Sequence, residues 1–129
     1  MPTKTIIKPP KAPPAVGPYS QAVRIGEFLF CSGQIPLDPA NPSAPISGDI
    51  KAQTDRVLQN VQAILEDQGL SFAHVVKSTV FMVNLADFAG MNEVYSRYFG
   101  TDACPARSTI QVAALPRGAA VEIEVIAHS

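Results

Sequence analysis

Two spacings of apolar residues alternate along the chain. Ile50, Val57, Leu58, Val61, Ile64 and Leu65 share one face at 3.6-residue spacing, which predicts a helix. Asp49 is placed to cap its start and Gly69 to end it. A second helix is predicted over residues 87–99, with Phe88, Met91, Tyr95 and Phe99 on its inner face, Asp87 as cap and Gly100 as stop. Elsewhere the pattern is that of strands. Residues 21–25 and 28–34 flank Gly26-Glu27 as a hairpin. Residues 75–83 are rich in β-branched side chains and read as a buried strand. Residues 106–113 and 119–127 give two more, joined by a turn at Leu115-Pro116-Arg117-Gly118. The predicted order is β-β-α-β-α-β-β, an α+β fold with two helices packed on one face of a mixed sheet. The other face is expected to carry Val121, Ile123 and Val125. Leaving such a face wet costs about 25 cal/mol per Å², so a second copy of the chain is expected to cover it.

The length of 129 residues fits a single domain, 1–129, whose residues 1–15 form a Pro/Lys-rich segment. At 47% apolar and 16% charged, the chain is too hydrophobic to be disordered. Its charge content is also low for a lone monomer. A net charge of −1 offers no electrostatic footprint for nucleic acid or anionic membrane. No apolar run approaches the ~18 residues of a membrane span. Two cysteines, Cys31 and Cys104, are too few for a disulfide scaffold and form no CxxC. With two histidines and no His/Cys cluster, no metal site is expected. The N-terminus has lysines but no apolar core of a secretory signal, so a reduced, cytoplasmic setting is expected. Ten of the twelve prolines precede residue 46. Pro36, Pro39, Pro42 and Pro45 recur at the polyproline II period, in an extended loop over 36–48.

No P-loop, GxGxxG, HExxH or GxSxG is present. Candidate chemistry rests on isolated polar residues. Arg107 opens a strand of small and β-branched residues. A guanidinium is costly to bury without an anion and fits a carboxylate by two parallel bonds. It either anchors a small acid or pairs with Glu122 or Glu124. Those two acids share a face of the last strand, where one can orient or activate water or both can be solvated. Tyr19 and Ser20 follow a Gly-Pro turn. Ser32 and Gly33 end a strand, and the glycine permits close approach of backbone or ligand. Asn92 lies beside the apolar face of the second helix. His74 and His128 have no partner in view. Cys31 reads as an inert core thiol, and Cys104 as a thiol held extended before Pro105.

Five segments, in order, resemble the RidA/YjgF family of enamine/imine deaminases. They are Gly17-Pro18-Tyr19-Ser20-Gln21-Ala22, Ser32-Gly33-Gln34-Ile35-Pro36-Leu37, Asn92-Glu93-Val94-Tyr95, Pro105-Ala106-Arg107-Ser108 and Val121–Ala127. The likeness runs from about Ala12 to Ala127. It implies a chorismate-mutase-like fold and a homotrimer whose three sheets form a central barrel with clefts between subunits. It also implies hydrolysis of 2-aminoacrylate- and 2-aminocrotonate-type enamines and imines to 2-oxo acids and ammonia, without metal or cofactor. By likeness, Arg107 binds the substrate carboxylate and Glu122 positions water or moves protons. Tyr19 and Ser32 line the cleft, and Asn92 supports it. Two other readings stand beside this one: an RNA-acting translation inhibitor, an activity ascribed to some relatives, and a non-catalytic metabolite-binding or chaperone-like trimer that uses the same cleft. Thr109 stands where many relatives have cysteine, Cys104 where many have a bulkier residue, and the loop over 36–48 is longer and richer in proline than is common.

Overall fold

The computed structural model describes residues 3–129. A six-stranded sheet runs in the order β1-β2-β3-β6-β4-β5. Its strands are β1 (Thr5–Ile7), β2 (Ala22–Ile25), β3 (Phe28–Gln34), β4 (Val75–Met82), β5 (Ala106–Gln111) and β6 (Val121–His128). All neighbours are antiparallel except β4 and β5. Helices α1 (Ile50–Asp67) and α2 (Phe88–Phe99) pack together against one face. The mixed α+β architecture is the expected one, with one strand more: β1 precedes the hairpin and lies inside the Pro/Lys-rich segment. Gln21 ties the rest of that segment down, its buried amide donating to the carbonyls of Pro9 (3.2 Å) and Pro13 (2.7 Å).

Helix α1 starts where Asp49 accepts a bond from the Ala52 amide at 2.9 Å, and Gly69, at φ 69°, turns the chain away after it. Val57, Leu58, Val61, Ile64 and Leu65 are fully buried. Three polar side chains on the same helix are buried with them for a different reason. Gln53 accepts from the Ala120 amide at 2.8 Å, Thr54 donates to Ile50 O, and Asn60 donates to the carbonyls of Ile35 and Leu37. Gln53 holds α1 to the head of β6 and Asn60 holds it to the proline-rich loop, whereas the Thr54 bond stays within the helix. That loop is ordered. Arg117, in a left-handed turn at φ 61°, donates to the carbonyls of Pro42, Ser43 and Ala44.

Helix α2 departs from expectation at its start. Asp87 makes no capping bond; Asn84 caps the short 3-10 turn that leads into the helix. Met91, Val94, Tyr95 and Phe99 are buried, whereas Phe88 stays exposed. His74 is structural, its Nδ1 accepting from the Ser71 amide at 3.0 Å.

The two faces of β6 are the reverse of the expectation. Val121, Ile123, Val125 and Ala127 are buried in the core between sheet and helices. Glu122, Glu124 and Ile126 therefore point to the helix-free face. That face is apolar all the same: the ladder aligns Ile126 with Phe30, Phe30 with Val23, and Phe81 with Ile110. Phe28, Phe30 and Ile110 are each more than two-fifths exposed. An apolar face thus still lies open for a covering surface, formed by these residues rather than by Val121, Ile123 and Val125. Among the described residues, no helix is long and apolar enough to cross a membrane.

Candidate active site

Arg107 lies on the edge strand β5, in register with Ser78 of β4. Ser78 is buried beneath α2, so Arg107 projects on the helix side. Its Nη1 donates to Asn92 Oδ1 at 2.8 Å. The guanidinium carbon lies 4.7 Å from the centre of the Tyr95 ring and 5.6 Å from that of Phe88. No carboxylate pairs with it among the described residues. A cleft of about 390 Å³ opens beside it, lined also by Asn92, Tyr95, Cys104 and Pro105. The cation is thus held by a neutral amide and two aromatic faces, which steady it without neutralising it.

Glu122 lies on the opposite face of the sheet. It borders a cavity of about 480 Å³ with Tyr19, Gln21, Ser32, Gly33 and Glu124. The backbone here is shaped by a bulge: Cys31 pairs with Val125 but Gln34 with Ile123, so β3 holds one residue more than β6 across this stretch. The extra residue re-aims Ser32 and Gly33. Ser32 Oγ donates to Ser20 O at 2.5 Å, fastening the Tyr19-Ser20 turn over the cavity. The Tyr19 phenol accepts from the Val16 amide at 3.3 Å, and the ring is half exposed. Gly33 does permit a close approach, and the group that uses it is Glu122. A Cβ at position 33 would collide with the Glu122 carboxyl. Burial pushes the pKa of Glu122 above the ordinary carboxylate range, and the charge of Glu124 adds to the rise. This carboxyl is therefore suited to taking up and releasing a proton.

The five expected site residues fall into two groups. Arg107 and Asn92 share the helix side; Tyr19, Ser32 and Glu122 share the open side. One chain does not bring the groups together, and the alternative of an internal pair between Arg107 and either glutamate is removed. Sequence reasoning missed Ser78, whose Oγ shares a hydrogen bond of 2.6 Å with the Tyr95 hydroxyl. Its strand carries Lys77, Ser78 and Thr79 in a row, and nothing in that run sets Ser78 apart. Cys31 is buried and its thiol is pushed up to about 12 by burial, whereas Cys104 is exposed and donates weakly to Gly100 O. Among the described residues, no three His, Cys, Asp or Glu side chains converge to hold a metal ion.

The family described as Endoribonuclease L-PSP matches residues 9–129. Protein DfrA of Myxococcus xanthus is 56% identical over 121 residues, covering 92% of this chain and 91% of that protein. The structure of the Rid-family protein YyfA of Yersinia pestis superposes with a TM-score of 0.93 at 43% identity, over 98% of this chain and 100% of that one. Escherichia coli TdcF, solved with bound serine, gives a TM-score of 0.89 at 43% identity, over 97% and 98% of the two chains.

Proposed function

The chain belongs to the RidA/YjgF family, the one described as Endoribonuclease L-PSP, and from that membership and its two half-sites we propose that it hydrolyses reactive 2-enamine and 2-imine acids to 2-oxo acids and ammonia. The observation that carries the reading is Arg107: a partly buried cation, steadied by Asn92, with no acidic mate among the described residues. Such a group leaves donors free for a ligand's carboxylate. TdcF was solved with serine, a ligand that carries an α-carboxylate of the same kind.

The proposed sequence is short. The enamine tautomerises to the imine by moving a proton from nitrogen to C3. Arg107 binds the carboxylate and fixes the C=N carbon. Glu122 takes a proton from a water molecule as its oxygen adds to that carbon. It returns that proton to nitrogen, giving a carbinolamine; the carboxylate then passes the new hydroxyl proton to nitrogen as well, and the C–N bond breaks to release ammonia as the C=O bond forms. A positioned general base contributes about 100- to 10,000-fold. Tyr19 and Ser32 line the water side of the cleft. Because Arg107 and Glu122 lie on opposite faces, the reaction centre is completed between copies. A homotrimer that covers Phe28, Phe30 and Ile110 is the proposed assembly.

The test is ammonia and 2-oxo acid release when the protein is added to a dehydratase that generates the enamine. Wild type is expected to accelerate release and Arg107→Ala to abolish the acceleration. Equal rates for the two, at equal folded concentration, would remove the proposal. The family description favours a second reading, action on RNA. With a net charge of −1 and no basic patch at either half-site, RNA is expected not to bind even at low ionic strength. Binding that weakens steeply with salt would support the second reading. Binding of pyruvate without turnover of the imine would favour a metabolite-binding or chaperone-like trimer.

A further inference from the structure

Arg107 has a support that the proposed reaction does not itself explain. Beneath it lies Tyr95, buried and in turn stacked on Phe99, with ring centres 4.2 Å apart and planes 21° from parallel. The phenol of Tyr95 reaches Ser78 Oγ at 2.6 Å. Ser78 has no accessible surface, so this bond is its hydroxyl's one partner among the described residues. A buried hydroxyl without a partner is costly, and the pair therefore resists rotation of the ring. Burial raises the phenol's pKa against the opposing pull of Ser78 and Arg107, which keeps it a neutral hydroxyl at ordinary pH.

Asn92 takes Nη1 of the guanidinium, and the Tyr95 ring contacts it at 4.7 Å. One bond alone leaves a guanidinium free to swing about it; a bond and a face fix its plane. We infer that Tyr95, oriented by Ser78, is a positioning residue that sets the plane of Arg107 so that its Nε–Nη2 edge meets the substrate carboxylate. Both nitrogens lack a hydrogen-bond partner among the described residues, and together they match the spacing of two carboxylate oxygens. The inference rests on the proposed role of Arg107 and adds to it the residues that decide which edge is presented. It acts on binding more than on bond breaking, since the reacting carbon lies beyond the carboxylate.

Steady-state deamination and pyruvate binding by calorimetry, on the assembled protein, test it. Loss of the ring in Tyr95→Leu removes a contact of the cation–π kind, and KM and the pyruvate Kd should each rise about tenfold, with kcat within about twofold. Tyr95→Phe and Ser78→Ala keep the volume and should raise both constants about threefold. The double variant Ser78→Ala/Tyr95→Phe should be no worse than either alone, because the two act through one bond. Thermal midpoints of these conservative variants control for unfolding. If Arg107→Ala destroys pyruvate binding while every Tyr95 and Ser78 variant binds as wild type does, the anchor stands and the positioning role is wrong. A fall in kcat with unchanged KM also overturns it. If Arg107→Ala leaves both binding and turnover intact, the proposed reaction site itself is wrong.

Discussion

Glu122 carries an acid whose charged form is disfavoured where it sits, by burial first and by Glu124 second. A folded-state pKa raised above the unfolded value gives stability that is present at low pH. It is lost as pH rises from the ordinary carboxylate value through the raised one. Glu122→Gln should therefore match wild type in thermal midpoint in acid and exceed it at neutral pH, while losing about 100-fold or more in turnover. If the ionised form is the base, kcat/KM should fall on the acid side through a pKa above the ordinary range. Glu124→Gln should move that limb to lower pH; an unmoved limb would assign it to another group. Cys31, with its thiol pushed up to about 12, should resist a thiol reagent until denaturant is added, leaving Cys104 as the reactive one. Of these features, Arg107 was legible as a guanidinium costly to bury in a strand of small and β-branched residues, while its mate stayed open until the fold placed both glutamates on the other face. Ser78 was not, since a single hydroxyl in a strand carries no sign of which helix will lie over it.

At the scale of elements, spacing located both helices because a 3.6-residue stripe has one geometric solution. Removal of the Asp49 cap in Asp49→Ala should cost about 1 kcal/mol, read from chemical denaturation. Asn60→Leu should cost about 1–3 kcal/mol, because it strips the donor from the partly buried carbonyls of Ile35 and Leu37. Strand β1 escaped notice: three residues between lysines and prolines form a strand through pairing with β2, and local sequence does not encode a partner. The face of β6 was misread for a related reason. Alternation in Val121-Glu122-Ile123-Glu124-Val125 fixes which side chains share a side, while the packing of α1 decides which side is the core. The β3 bulge was likewise invisible, because register belongs to two strands at once.

The whole molecule leaves one sheet face uncovered, and its aromatic residues belong to the same face as Glu122. Phe30→Glu leaves the helix-side core untouched, so the chain should keep its far-ultraviolet circular dichroism. Its mass by sedimentation should fall from that of a trimer towards a monomer, and deamination should fall with it. A folded, fully active monomer would contradict assembly through this face. The split of the polar groups has a genetic consequence as well. Chains carrying Arg107→Ala and chains carrying Glu122→Gln are each expected to be inactive, yet each keeps the side that the other has lost. Co-expressed, they should rescue one another to about a quarter of the wild-type rate, the share of random seams that join two sound halves.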